Sequence, residues 1–273
     1  MSNAFHIGAT GMLAQQRNVE TIANNLVNAS TPGYKKARVS FTDMVAGLAA
    51  PSGSQPGPDQ AAGWDMRLAA TPAGISVGMG VGVSVTAVDK QFDMGDLRKT
   101  ESSMDLAING AGFLEVSLPD GASGFVRGGT LKINQDGLLA TEAGLPLKPG
   151  LLIPADARNV QIDAQGQVSV VLADQAAPAA IGQLAFVRFL NPQGLLPQGG
   201  NLYRSSELSG EAILGKPGQD GLGLLAQGYI EGSNVRMTDE MIGLVIAQRA
   251  YGASARLVQA DDELMAMVNN LRK

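Results

Sequence analysis

The chain has 273 residues, a formal net charge of −5, scattered basic residues and no cysteine. Scattered basic residues do not form the positive patch to which phosphate backbones bind, and a chain without cysteine cannot form disulfides or thiolate metal sites, so we expect no nucleic-acid partner and no structural zinc. The 35 glycines, the 13 prolines and a charged fraction of only 16% favour short strands joined by turns.

The first segment of the chain has the pattern of an amphipathic helix. Its apolar stripe consists of Phe5, Met12, Val19, Ile22 and Leu26, four of them seven residues apart. The segment lacks the basic, apolar and small-residue regions of a secretory signal, and no apolar run in the chain reaches the ~18 residues of a membrane span. We therefore expect a helix, no cleaved signal peptide and no insertion into a membrane.

The sequence ANNLVNASTPGYKK, residues 23–36, predicts how this helix ends. Asparagine side chains can bind backbone carbonyls and turn the chain, and a proline and a glycine stop a helix. We predict a helix within residues 1–30 that leads into an extended segment. The predicted turn residues are Asn24, Asn25, Asn28, Thr31, Gly33 and Tyr34.

The stretch from Met44 to Gly74 is rich in Ala, Gly, Pro and Ser and contains the single tryptophan, Trp64. A stretch of this length without periodicity is either a disordered linker or a functional loop that orders against a partner. We favour the functional loop.

Period-two alternation with turn signals marks the centre of the chain, and we predict a β-rich domain of antiparallel strands over residues 75–234. Three dipeptides lie between apolar runs, as hairpin turns do: Asp120-Gly121, Asp136-Gly137 and Gln165-Gly166.

The C-terminal segment repeats the seven-residue spacing, and we predict a helix within residues 235–273. Its predicted self-assembly residues are Met237, Leu244, Tyr251, Val258, Leu264 and Leu271. Isolated amphipathic helices are marginal in water, so the two ends either pair as a coiled coil that packs into neighbouring chains or pack on the core of their own domain. We favour pairing of the two ends, so that residues 1–30 and 235–273 form one helical domain. Together with the antiparallel β centre, this predicts an α+β fold.

Motifs of catalysis and cofactor binding are weak in this sequence. GISVG, residues 74–78, matches a serine nucleophile elbow, but the only histidine, His6, lies upstream of it. GLGLLA, residues 221–226, matches the loose dinucleotide fingerprint but has no predicted strand before it and no predicted helix after it. We predict that the chain is not an enzyme and has neither a cofactor nor a metal site.

Three segments, in order, resemble the flagellar basal-body rod and hook family of axial proteins. They are ANNLVNASTPGYKK, then QFDMGDLRKTESSMDLAINGAGFLEV at residues 91–116, then GYIEGSNVRMTDEMIGLVIAQRAY at residues 228–251. Within the family, QFDMGDLRKT and the insertion after Met44 resemble the members that build the distal rod. Relatives often carry an aromatic residue and an Arg-Asp-Gly turn where this chain has GFVRGGTL, residues 124–131.

The resemblance implies a structural subunit that polymerises with itself into a hollow helical rod around an export channel and transmits torque from motor to hook. The implied location is the bacterial flagellum basal body, where the rod crosses the periplasm and the outer-membrane ring. The implied partners are proximal rod subunits, the hook protein, the P- and L-ring proteins and the type III flagellar export apparatus.

The same resemblance implies that the terminal helices line the inside of the rod and become ordered on assembly, and that the β domain lies outside. Residues 31–74 are then an extended segment and a Gly/Pro/Ala-rich inter-subunit loop. The alternatives are a proximal rod subunit of the same family and a non-catalytic β-rich binding module.

Overall fold

The computed structural model describes residues 3–46, 79–172, 178–219 and 221–271. Two helices lie at the ends of this described chain: α1 (Asn3–Val27) and α2 (Met237–Leu271). All the strands of the described residues lie between them, together with one 3-10 turn at Pro192–Gly194. The α+β fold class and the antiparallel centre predicted from the sequence are confirmed.

The first eight strands in chain order are β1 (Ala37–Ala46), β2 (Met79–Lys90), β3 (Leu97–Lys99), β4 (Asp105–Asn109), β5 (Phe113–Ser117), β6 (Ser123–Val126), β7 (Gly128–Ile133) and β8 (Leu139–Thr141). The remaining strands are β9 (Ala157–Ile162), β10 (Gln167–Leu172), β11 (Ala179–Gln183), β12 (Phe186–Arg188), β13 (Leu196–Gly199), β14 (Leu202–Arg204), β15 (Ile213–Gly215), β16 (Leu224–Gln227) and β17 (Tyr229–Glu231).

The strands of the described residues form five sheets. β1 and β2 form a two-stranded sheet. The other four have the orders β13-β14-β6-β5-β12-β15, β16-β4-β7-β8, β11-β10-β9 and β17-β3, and every strand pair in these four sheets is antiparallel. Short antiparallel strands are what a glycine- and proline-rich chain can form without long crossover connections.

The three predicted hairpins are confirmed. Asp120-Gly121 joins β5 to β6, Asp136-Gly137 joins β7 to β8, and Gln165-Gly166 joins β9 to β10. The glycines in these turns have φ values of 80°, 76° and 79°, a left-handed conformation that glycine adopts without a steric cost.

Two hydrophobic clusters hold the β strands together, and β5 contributes to both because its side chains alternate between two faces. Leu114 and Val116 lie in the larger, aliphatic cluster, which also takes residues from β4, β9 and β10. Phe113 lies in the smaller, aromatic cluster, where the ring of Phe189 makes edge-to-face contacts with the rings of Phe113 and Phe125. Both faces of β5 are therefore packed.

The described residues divide into two compact units. One contains residues 3–18, 40–46, 79–87 and 246–271, and the other contains residues 19–39, 88–172, 178–219 and 221–245. Among the described residues, no helix is both long enough and apolar enough to cross a membrane. Residues 47–74 of the predicted inter-subunit loop lie outside the described residues, and the predicted domain boundaries stay predictions.

Candidate self-assembly surface and signature turn

The turn after α1 is held by asparagine side chains. Helix α1 ends at Val27, and Asn28 Nδ2 donates a hydrogen bond to the carbonyl oxygen of Asn24 at 2.9 Å. Thr31 Oγ1 then donates to Asn28 Oδ1 at 3.2 Å. Gly33 has φ +69°, the left-handed conformation that turns the chain out of the helix. The Asn24 carbonyl also accepts from the backbone nitrogen of Asn28 at 3.2 Å, so the asparagine side chain adds a second bond to the last turn of the helix.

Asn25 is the buried centre of the turn, with only 2% of its surface exposed. Its Oδ1 accepts a hydrogen bond from the backbone nitrogen of Ala37, and its Nδ2 donates to the carbonyl oxygen of the same residue, each at 2.8 Å. Nδ2 also donates to Glu240 Oε2 at 3.2 Å. One amide side chain therefore joins the end of α1, the start of β1 and the first turn of α2.

Tyr34 closes the turn from the other side. Its hydroxyl lies 2.8 Å from Asn24 Oδ1 and 3.1 Å from Asn25 Oδ1, so the two amides share one phenolic proton. Burial, and then the negative charge of Glu240, raise the pKa of the Tyr34 hydroxyl. The ammonium of Lys90 lies 4.2 Å from the centre of the Tyr34 ring, and burial lowers the pKa of that lysine.

A buried ion cluster lies beside this turn, and sequence reasoning missed it. Lys35 Nζ lies 2.6 Å from Glu231 Oε1, and Arg127 Nε lies 3.1 Å from Glu231 Oε2. The three side chains are at most 4% exposed. We call Lys35, Arg127 and Glu231 the junction cluster. One feature of the sequence could have indicated the cluster: each of the three charged residues lies in a glycine-containing segment that was compared with the rod and hook family.

Arg127 ties the junction cluster to the β strands. It is the single residue between β6 and β7, where the chain leaves the six-stranded sheet for the four-stranded one. Its Nη2 donates to the carbonyl oxygen of Gly110 at 2.8 Å, and its guanidinium lies 5.7 Å from the ring centre of Phe113. The arginine of the Arg-Gly-Gly sequence, residues 127–129, therefore places a buried cation between β6 and β7.

The predicted stripe on α1 is mostly covered. Ile22 is buried, whereas Met12, Val19 and Leu26 are half-buried and Phe5 is 40% exposed. The buried residues between them are small, such as Ala14, or polar, such as Asn25.

The predicted stripe on α2 is covered only in part. Leu244 and Val258 are half-buried, but Met237, Tyr251 and Leu264 are 43–57% exposed, and Leu271 is the last residue of the helix.

Glycines allow α1 and α2 to approach closely. A Cβ atom built on Gly8 would lie 2.6 Å from Val258 Cγ2, and one on Gly11 would lie 3.0 Å from Ser254 Oγ. The later glycine on α1 contacts the earlier residue on α2, so these two helical segments run antiparallel.

A second apolar stripe on α2 is exposed. Its residues alternate spacings of four and three, the heptad pattern of a coiled-coil seam: Ile246, Ala250, Ala253, Leu257, Ala260, Leu264 and Met267. The four large side chains are 44–62% exposed. Successive α-helical residues are about 100° apart, so Leu257 lies beside Val258, and its Cδ2 would lie 3.4 Å from a Cβ built on Gly8. The second stripe thus borders the face of α2 that packs against α1. Leu264, predicted as a self-assembly residue together with Val258, lies in this second stripe.

Among the residues that the structure describes, no three or more acidic or histidine side chains are grouped as a metal site would require. Large apolar side chains exposed along a helix are typical of surfaces that bind other proteins.

Three protein-family models match the chain. The model "Flagella basal body rod protein" matches residues 5–35, and "Flagellar hook protein FlgE/F/G D1 domain" matches residues 107–170. "Flagellar basal body rod FlgEFG protein C-terminal" matches residues 226–271. Together the matched residues include most of α1, the turn after it, many of the β strands and all of α2.

Similar proteins of nearly equal length carry the name flagellar basal-body rod protein FlgG. The relative from Buchnera aphidicola subsp. Schizaphis graminum is 37% identical over 99% of this chain and 100% of its own. The Agrobacterium fabrum relative is 37% identical over 97% of this chain and 98% of its own, and the Borreliella burgdorferi relative is 36% identical over 100% of both. The chain therefore belongs to the flagellar basal-body rod protein family, as a structural rod subunit alongside the relatives named FlgG.

Proposed function

We propose that this rod subunit polymerises with itself into the hollow helical distal rod and transmits torque from the motor to the hook. Membership of a structural family confirms the sequence predictions that the chain is a flagellar rod protein and is not an enzyme. The distal position, the polymer and the torque are the proposal. One observation carries it: the large apolar side chains of the second stripe stay 44–62% exposed although α1 packs beside α2.

Covering the second stripe supplies the energy for assembly. Full burial of a large apolar side chain contributes about 1.5–3 kcal/mol, so covering a half-exposed one contributes about 1 kcal/mol. The stripe has four such side chains in Ile246, Leu257, Leu264 and Met267. Each copy therefore gains about 4 kcal/mol along one stripe. The occupant we propose is another copy of this chain, because the stripe has the heptad spacing of a seam between helices.

The terminal helices pair as a coiled coil in this proposal. The approach of Gly8 to Val258 and the antiparallel order of the contacts support pairing along the first stripes. The second stripe then meets a different patch on the next copy. A contact between unlike patches does not close on itself and generates an open helical polymer.

The remaining sequence expectations belong to the same proposal. Residues 1–30 and 235–273 form the helical domain, residues 31–74 the extended segment and inter-subunit loop, and residues 75–234 the β domain. The ends of the polymer would bind proximal rod subunits and the hook protein, and its outer surface the P- and L-ring proteins. Subunits would reach the growing end through the type III export apparatus, across the periplasm and the outer-membrane ring.

Electron microscopy of the purified chain tests this function. We expect the wild-type protein to form hollow tubes, and we expect Leu264→Asp to abolish them, because the substitution places a charge in a seam that must become dry. Gln259→Asp is the matched control, since it adds the same charge at an exposed polar position of α2 outside the second stripe. Wild-type protein that stays monomeric at high concentration, or Leu264→Asp tubes identical to wild type, would contradict the proposal.

A further inference from the structure

Besides Arg127, which lies between β6 and β7, three separate segments meet at the junction cluster. Lys35 Nζ donates to Glu231 Oε1 and also to the carbonyl oxygen of Asp93, at 2.6 and 2.8 Å. The backbone nitrogen of Gly95 donates to Glu231 Oε1 at 3.1 Å. Two side chains thus join the segment that leaves α1, the segment that follows β2 and strand β17, which precedes α2.

Asn234 ties the same three segments a second time. Its Oδ1 accepts from the backbone nitrogen of Lys36, and its Nδ2 donates to the carbonyl oxygen of Gln91, each at 2.8 Å. Gln91 and Lys36 are also joined directly, by a backbone hydrogen bond of 2.9 Å. Several polar contacts, and not one ion pair alone, therefore hold the three segments together.

The charges of the junction cluster do not balance. It contains two cations, Lys35 and Arg127, and one anion, Glu231, and all three are buried. Burial lowers the pKa of Lys35, and Arg127 lowers it further, while Glu231 and, more weakly, Asp93 oppose both effects. Removing one partner of a buried ion pair usually destabilises a protein because the other charge is left uncompensated, but without Lys35 the Glu231 carboxylate would still be paired with Arg127 at 3.1 Å. The second buried cation is therefore a poor choice for stability alone.

We propose that the junction cluster is a latch that holds the three segments in one geometry at a cost in folding stability. The proposed function gives the latch its use, since torque between the β domain and the helices would pass through these segments. The latch itself is a property of the single chain and can be measured without a polymer.

Lys35→Met in the full-length chain tests the latch, because methionine keeps the apolar stem and removes the charge and its hydrogen bonds. We expect a urea unfolding midpoint no lower than that of the wild type. We also expect the amides of residues 33–37 and 91–95 to exchange at least about tenfold faster, since a local opening becomes easier. The matched control is Lys148→Met, which removes a half-exposed lysine bonded to Glu115 at 2.9 Å and leaves the exchange of these residues unchanged.

A second pair of variants keeps the test decisive if Lys35→Met alone folds poorly. Glu231→Gln leaves two unopposed buried cations and lowers the unfolding midpoint, and adding Lys35→Met to it raises the midpoint again because one of those cations is gone. A fall in midpoint in Lys35→Met, wild-type exchange at residues 33–37, or no recovery in the double variant would each overturn the latch. A wild-type chain that shows the exchange pattern but never polymerises would refute the proposed function and leave the latch standing.

Discussion

Gly8→Ala is the change that most directly tests how closely α1 and α2 pack. The added Cβ would lie 2.6 Å from Val258 Cγ2, about 1 Å inside the usual 3.5–4.0 Å carbon–carbon contact. It would also lie 3.3 Å from the carbonyl oxygen of Ser254, which is backbone and cannot rotate away. Val258 must move, or the two helices must separate.

The size of the effect follows from two opposing contributions. Overpacking of this kind costs about 1–3 kcal/mol, while alanine favours a helix interior over glycine by about 1 kcal/mol. Gly252→Ala on α2 is the matched control, because its Cβ would have nothing within 4 Å and only the helix gain remains. We expect Gly8→Ala to be less stable than Gly252→Ala by about 1–3 kcal/mol.

Thermal unfolding, followed by the helical circular dichroism signal, measures this difference in the two variants. The same samples can be compared by electron microscopy, where we expect Gly8→Ala to form fewer tubes and Gly252→Ala to resemble the wild type. Equal melting temperatures for the two variants would refute the close packing of Gly8 against Val258.

Three further predictions concern the turn, the β domain and the loop. Asn25→Ala removes a buried amide and its bonds to the part-buried backbone nitrogen and carbonyl of Ala37, and we expect a loss of about 2–4 kcal/mol in urea unfolding, whereas the exposed Asn24→Ala should lose less than half of that. Burial raises the pKa of Tyr203 to about 12 from 10.0, so the stability that this group contributes is fully present below pH 10 and is lost as the pH rises from 10 to 12, by roughly 3 kcal/mol. Tyr203→Phe should show a shallower loss of stability in that window, and an unchanged slope would contradict the assignment. Deleting residues 47–74 should give a polymer that bends in electron micrographs, and unchanged rigidity would count against an inter-subunit loop.

The helices and hairpins were accessible from the sequence because their signals are local. The seven-residue spacing from Met12 to Leu26 and the dipeptide Asp120-Gly121 each lie within a few turns or strands of what they specify. Sheet order was not accessible, since β4 pairs with β16 more than a hundred residues away and no local pattern encodes that choice.

The junction cluster was not accessible for a related reason. Most charged residues are exposed to solvent, so a single charged residue in a sequence does not predict a buried ion pair. The three residues of the cluster also lie far apart along the chain: Lys35, Arg127 and Glu231. Only the pairing of β17 with β3 and the sheet switch at Arg127 bring the three charges together. The asparagines of the turn were identified from residue type, but the long-range bond of Asn25 to Glu240 depends on where α2 begins.

Hydrogen exchange of residues 3–27 and 246–271, measured in the dilute monomer and in the assembled polymer, tests the central claim most directly. If other copies cover the exposed apolar stripe of α2, the amides of residues 246–271 should become much more strongly protected in the polymer than in the monomer. Strong protection of both helices in the monomer, with no gain on assembly, would contradict the account.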